Sequence, residues 1–153
     1  FSIMPMRGHY NVTGSGEVFA WQFGFPYAVD LTRGFARYNP GDTSTIDLLT
    51  RGEIDAMLTI GSDPGAHFPI SAVKPIANMP SVCIDPHLTP TSGVSKLHVP
   101  VAFNGVETGG NCYRMDNVPI DCRKVVEPPE GMLTDEEFLI KVRDRVKQLK
   151  GAA

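Results

Sequence analysis

What this chain lacks narrows its class before anything else does. No apolar run nears the ~20 residues that a membrane-spanning helix needs. No positively charged start leads into an apolar signal segment, so nothing in the residues marks export. Lys and Arg number 14 against 17 Asp and Glu, a net charge of -3, and the basic footprint of a nucleic-acid binder is missing. Cys83, Cys112 and Cys122 are the only cysteines. An odd number without CxxC spacing reads as reduced, partly buried thiols in a cytoplasmic protein, and the sequon Asn11-Val12-Thr13 then has no glycan to carry. There is no G-x-G-x-x-G, no Walker A pattern and no G-x-S-x-G elbow, which removes the ordinary NAD site, the P-loop and the serine hydrolase.

What is present is a globular composition: 153 residues, 42% hydrophobic and 20% charged, enough for one domain with a core. The chain begins at Phe1 rather than methionine, so an upstream portion or an excised domain is expected.

The clearest unit, the expected core, runs over residues 42–102. Asp42 or Thr43 can cap a short helix with Ile46, Leu48 and Leu49 as apolar positions and Gly52 as its stop. IDAMLTI (54–60) reads as an apolar strand, SAVKPIAN as a helix with Pro75 in its first turn or at a kink, and PSVCID (80–85) as a second strand. Strand, helix, strand with brief links implies a right-handed parallel crossover. LHVPVA is a third strand that Pro100 confines to an edge or an end. The segment from Asn104 to Gly131 carries turn chemistry every few residues, with NCYRM and CRKVV as candidate short strands. Residues 134–150 form a helix: Thr134 and Glu137 make a capping box, and Phe138, Val142, Val146 and Leu149 an apolar stripe that Gly151 ends. The fold class is α/β, a Rossmann-like parallel sheet with flanking helices.

Open parallel sheets bind ligands at the carboxyl ends of their strands. After the first strand comes Gly61-Ser62-Asp63-Pro64-Gly65, and after the second Asp85-Pro86-His87-Leu88-Thr89. Gly61 lets a phosphate or sugar approach the backbone, Ser62 and Asp63 offer a hydroxyl and a carboxylate, and Asp85 can accept from a ribose or a purine amino edge. Each loop alone reads as an ordinary turn rich in helix caps; the two together tilt towards a nucleotide-like ligand. His67 and His87 fit solvated turns, and His98 fits a packed edge residue. No spacing assembles a metal site.

The stretch RGHYN near the start is less easily read as a plain connection. Arg7 is charged at any pH and can fix a carboxylate, a phosphate or a small oxyanion. His9 can move a proton near neutrality. A second reading stands beside it: Arg7 pairs with an acid such as Asp30.

The order of motifs carries a resemblance. RGHYNVTG, GSDPGAHFP, IDPHLTPTSGV and VPVA, taken in that order, resemble the third domain of the molybdopterin oxidoreductases. FAWQFGFPYAVD, RYNPGD and YRMDNVPI resemble, more narrowly, the B-subunit family of formylmethanofuran dehydrogenase. The resemblance covers residues 1–153 and matches the C-terminal, cofactor-binding part of that subunit. It implies tungsten or molybdenum held by molybdopterin guanine dinucleotide and a cysteine upstream of this chain, with carbon dioxide reduced to formate and the formate passed to methanofuran. It implies partners too: an amidohydrolase-like A subunit, iron–sulfur subunits and the N-terminal part of the B subunit itself. By the resemblance, Arg7 and His9 lie beside the metal. Asn11, Gly61, Ser62, Asp63, Pro64, Asp85 and Thr89 meet the dinucleotide. None of the three cysteines has the context of the metal ligand, so the chain alone is expected to hold no metal and to be inactive. The alternative is a non-redox scaffold subunit of a methylotroph formyltransferase/hydrolase complex.

Overall fold

The computed structural model describes residues 1, 3–4, 6 and 8–151. Seven strands and six helices follow one another among them: α1 (Val12–Phe23), β1 (Val29–Asp30), β2 (Arg37–Tyr38), α2 (Thr45–Arg51), β3 (Met57–Ile60), α3 (Pro64–His67), α4 (Ile70–Asn78), β4 (Ser81–Ile84), α5 (Pro90–Val94), β5 (Leu97–Val99), β6 (Gly110–Tyr113), β7 (Pro119–Cys122) and α6 (Asp135–Gly151).

At the centre, β3, β4 and β5 form a parallel sheet in chain order. Leu58 sits opposite Val82 and Val82 opposite Leu97; Ile60 sits opposite Ile84 and Ile84 opposite Val99. Those six residues share one face. The other face carries Thr59 and Cys83 and meets the core, where Leu49, Ala72, Ile76 and Met79 pack together with Met57, Phe68 and Val94 against them. Helices α2 and α4 supply most of that layer. Two antiparallel hairpins, β1–β2 and β6–β7, lie outside the sheet.

Local chemistry explains the element ends. Ser44, not Asp42 or Thr43, caps α2: its hydroxyl accepts from the Asp47 amide while the Asp47 carboxylate accepts from the Ser44 amide. Thr43 is instead a buried spacer whose hydroxyl donates to the Ala28 carbonyl at 2.7 Å. Gly52 ends α2 in the left-handed conformation. Pro75 sits well inside α4 rather than in its first turn. Three buried residues of that helix, Ala72, Val73 and Ile76, offset the missing backbone bond. The capping box of α6 is formed, with Glu137 donating its amide to Thr134 Oγ1 at 3.1 Å and Thr134 donating its own to Glu137 Oε2 at 2.9 Å.

Two strand expectations shift. NCYRM pairs from Asn111 as far as Tyr113, and its partner is Pro119–Cys122 rather than CRKVV. Beyond Cys122 the chain leaves the hairpin, and Val125 and Val126 donate their amides to the Val106 carbonyl. Asp30 is engaged within its own hairpin by Thr32 and by the Arg37 guanidinium. Hydrogen bonds from Thr32 and from Arg37 hold its carboxyl well below the usual carboxylate range.

Candidate functional site

The parallel sheet fixes where a ligand could enter. A cavity of about 530 Å³ opens at the carboxyl ends of β3, β4 and β5, where the strands hand over to their loops. Ile60, Gly61, Ile84 and Asp85 form its sheet side; Phe103, Asn104 and Asp135 close another; Tyr10, Asn11 and Ser15 bring the start of α1 to it.

Three predicted residues meet at this cavity: Asn11, Gly61 and Asp85. Gly61 has φ +53, a left-handed backbone in which a side chain is disfavoured for conformational reasons rather than for lack of space. Asp85 is buried, and its Oδ1 accepts from the His87 amide at 2.9 Å. His98 Nε2 donates to the Asp85 carbonyl at 2.9 Å and so ties β5 to the end of β4. A buried carboxylate with one oxygen so held keeps lone pairs for a donor from a ligand.

Asn11 does two things. Its backbone is left-handed at φ 52, which starts α1 without a side-chain cap. Its side-chain Oδ1 accepts from the Tyr113 amide of β6 at 2.8 Å. A Cβ on Gly14 would come within 2.3 Å of that same Oδ1, so the turn needs glycine there for close approach. No side chain caps the first turn of α1, which places Ser15 at this cavity and Val12 and Thr13 at a smaller one beside β6. Thr13 Oγ1 is buried on the side of the smaller cavity with no hydrogen-bond partner.

Other predicted residues do not line this cavity. Asp63 is taken up by α5: its Oδ1 accepts from Thr91 Oγ1 at 2.5 Å and from the Thr91 amide at 3.0 Å. Pro64 is buried as the first residue of α3. Thr89 caps α5, its hydroxyl accepting from the Ser92 amide at 3.2 Å. Ser62 faces a separate groove with Thr45 and Phe68. His9 is exposed, with its ring edge-on to His67 at 5.4 Å between centroids, and it borders a smaller cavity beside β6. Arg7 lies outside the described residues.

Several lining residues carried no signal as single positions. Tyr10, Phe103, Asn104 and Asp135 come from three distant segments. Asn104 Nδ2 donates to Asp135 Oδ2 at 3.0 Å, and the His87 and Phe103 rings meet edge to face at 4.7 Å. Tyr10 reaches away from the cavity to Cys122, 3.4 Å from its hydroxyl, and Cys112 and Cys122 stand 3.3 Å apart. The hydrogen bond to Cys122 and burial push the Tyr10 phenol up from its ordinary value. Burial likewise raises the Cys83 and Cys112 thiols, which keeps both protonated and unreactive at neutral pH. Among the described residues no cluster of three or more His, Cys, Asp or Glu could hold a metal, and no helix is long and apolar enough to cross a membrane.

No protein-family profile matches the chain. It is 55% identical over 149 residues to the B subunit of the tungsten-containing formylmethanofuran dehydrogenase 2 of Methanocaldococcus jannaschii, a match covering 97% of this chain and 34% of that protein. To the protein of the same description from Methanococcus maripaludis it is 51% identical, over 98% of this chain and 35% of the relative. The chain therefore spans about a third of the length of the curated relatives it matches. Among solved structures it is similar, at TM-score 0.72 and 18% identity, to a chain of the formyltransferase/hydrolase complex from Methylorubrum extorquens in complex with methylofuran. That likeness covers 97% of this chain and 40% of the other, and it shows the α/β fold.

Proposed function

We propose that this chain, which belongs to the B-subunit family of formylmethanofuran dehydrogenase, forms the cofactor-clamping region of a tungsten- or molybdenum-dependent subunit that interconverts carbon dioxide and formate. The observation that carries the reading is the cavity at the strand ends, in a chain 55% identical to a tungsten-containing relative. The donor set fits a pterin guanine dinucleotide. A phosphate suits the uncapped N-terminus of α1, a twelve-residue helix whose dipole favours an anion and whose Asn11 and Ser15 line the cavity. Asp85 offers a carboxylate to an amino or hydroxyl donor, and Gly61 lets the ligand approach the main chain. Asn11 holds the first turn of α1 in place through Tyr113.

When bound, the metal centre would supply the two-electron chemistry. Within this chain, Arg7 would hold the carboxylate of formate by a charge-assisted bond, and His9 would stand where a proton is exchanged. Asp63, Pro64 and Thr89 act by shaping the loops: they fix α3 and α5 so that Gly61 and Asp85 face the ligand. Ser62 is assigned to the loop's outer side. The amidohydrolase-like and iron–sulfur subunits would take the formate and deliver the electrons, in a cytoplasmic complex.

The fold is shared with a chain of a formyltransferase/hydrolase complex, so architecture does not choose between a redox subunit and a scaffold subunit without metal. The choice rests on identity to tungsten-containing relatives. Two measurements test it together. Elemental analysis of the complex containing the full-length subunit should find tungsten or molybdenum. Arg7→Ala in that subunit should leave the metal bound and lower carbon dioxide reduction about a hundredfold, the equivalent of roughly 3 kcal/mol in a water-poor pocket. A complex without either metal refutes the redox reading, and unchanged activity refutes the role of Arg7.

A further inference from the structure

The central sheet is wound on one side only. Its strands run β3, β4, β5 in space as in sequence, and both connections cross between parallel neighbours. Right-handed crossovers in one direction put both sets of helices on the same face. The layer of α2 and α4 occupies that face. No crossover within the sheet can cover the other.

That other face is apolar and partly bare. Leu58 is 50% exposed and Leu97 53%, and the half-buried Val82 lies between them in register. One row further along, Ile84 is fully buried beside the cavity, while Ile60 is 41% exposed. A groove of about 470 Å³ runs over the first row, with Ala56 and Pro80 at its edge. Parallel sheets occur almost only with both faces covered. The outer edge of β3 is unpaired among the described residues. The Met57 and Gly61 amides bond to the Pro80 and Ile84 carbonyls on the β4 side, so by the alternation of a parallel ladder Leu58 and Ile60 present theirs to the open side.

We infer that this face and this edge are one docking surface for the part of the B subunit that lies outside this chain. In a doubly wound sheet the second half starts beside the first strand of the first half, winds the opposite way and lays its helices on the opposite face. Strand β3 is the first strand here, and its free edge adjoins the bare face. The occupant is thus a strand added parallel to β3 together with an apolar helix seated on Leu58, Val82 and Leu97. The relatives supply the length: 34% of one is matched by this chain, and the rest is chain of the same subunit. This inference rests on membership of the B-subunit family and not on the cofactor reading, and its test uses neither metal nor turnover.

Leu58→Cys, Leu97→Cys and, as a reference on α6, Val142→Cys are made in the full-length B subunit, and maleimide labelling is followed site by site in the folded protein and in urea. In urea all three should label at similar rates. In the folded protein the first two should label at least tenfold more slowly than the third, although without an occupant they are at least as exposed as it is. Hydrogen exchange of the unsubstituted full-length protein gives a second reading, with the Leu58 and Ile60 amides at least tenfold slower than unpaired amides. Labelling at Leu58 and Leu97 as fast as at Val142, or exchange of those amides at the unpaired rate, overturns the proposal. So does protection that is lost on dilution, because the occupant is then a second copy.

Discussion

Replacing Thr91 by valine keeps the shape of a fully buried side chain and deletes one hydroxyl. That hydroxyl is a relay. It accepts from the Gly65 amide at 2.8 Å and donates to Asp63 Oδ1 at 2.5 Å, joining the loop after β3 to the start of α5. Valine leaves the Gly65 amide without an acceptor and Asp63 with one donor fewer. An unsatisfied buried donor costs about 1–3 kcal/mol, and a hydrogen bond to a charged group contributes about 1.5–3 kcal/mol. With Asp63 only half-buried and open to water, the expected loss is about 3 kcal/mol. Urea unfolding monitored by circular dichroism would read it as a fall in midpoint of about 1.5 M for a slope near 2 kcal/mol/M. Thr91→Ser keeps the relay and should lose about 1 kcal/mol for the missing methyl. If Thr91→Val unfolds within 0.3 M (about 0.6 kcal/mol by the same slope) of the parent, Asp63 is not spent on structure. A free Asp63 would return to the set of ligand-binding candidates.

The remaining predictions concern the two ends of the first 40 residues. Gly14→Ala drives a methyl into the Asn11 amide at 2.3 Å; overpacking of that kind costs about 1–3 kcal/mol, read as a lower thermal midpoint, and Asn11→Ala should abolish the penalty of adding the methyl. An additive double mutant would show that the clash is not with Asn11. Asp30, its carboxyl depressed by Thr32 and Arg37, contributes stability that is fully present above the unfolded carboxylate range near pH 4 and drains away as pH falls towards its folded value. Stability of the parent should therefore decline on acidification below about pH 4, and Asp30→Asn should flatten that decline; an unchanged acid limb would remove Asp30 from the account.

Legibility in the sequence followed the range of the interactions. Strands β3 and β4 and helix α6 are announced by apolar runs and by a capping box that closes within three residues. Helix α1 has no comparable mark. Gly14 and Gly16 lower its propensity, its first residue follows a left-handed asparagine, and Trp21 is 69% exposed, so no buried stripe outlines it. The cavity could be placed, since its sheet side follows from the strand ends. Its other walls could not, because Tyr10, Phe103 and Asp135 meet only through the chain's tertiary path. Asp63 shows the converse: a carboxylate at a strand end reads as a ligand group until Thr91, 28 residues further on, is seen to occupy it.

The bond from Tyr113 to Asn11 spans 102 residues, and its consequence is one of timing. Loop-closure entropy grows by about 0.6 kcal/mol per doubling of length, so a joint of that reach waits for the intervening sheet to shorten the path. During synthesis, the α1 side of the cavity stays unfastened until β6 has left the ribosome, however early the three central strands condense. A nascent chain halted before Gly110 would own the strand-end loops and still lack a finished mouth for anything to enter.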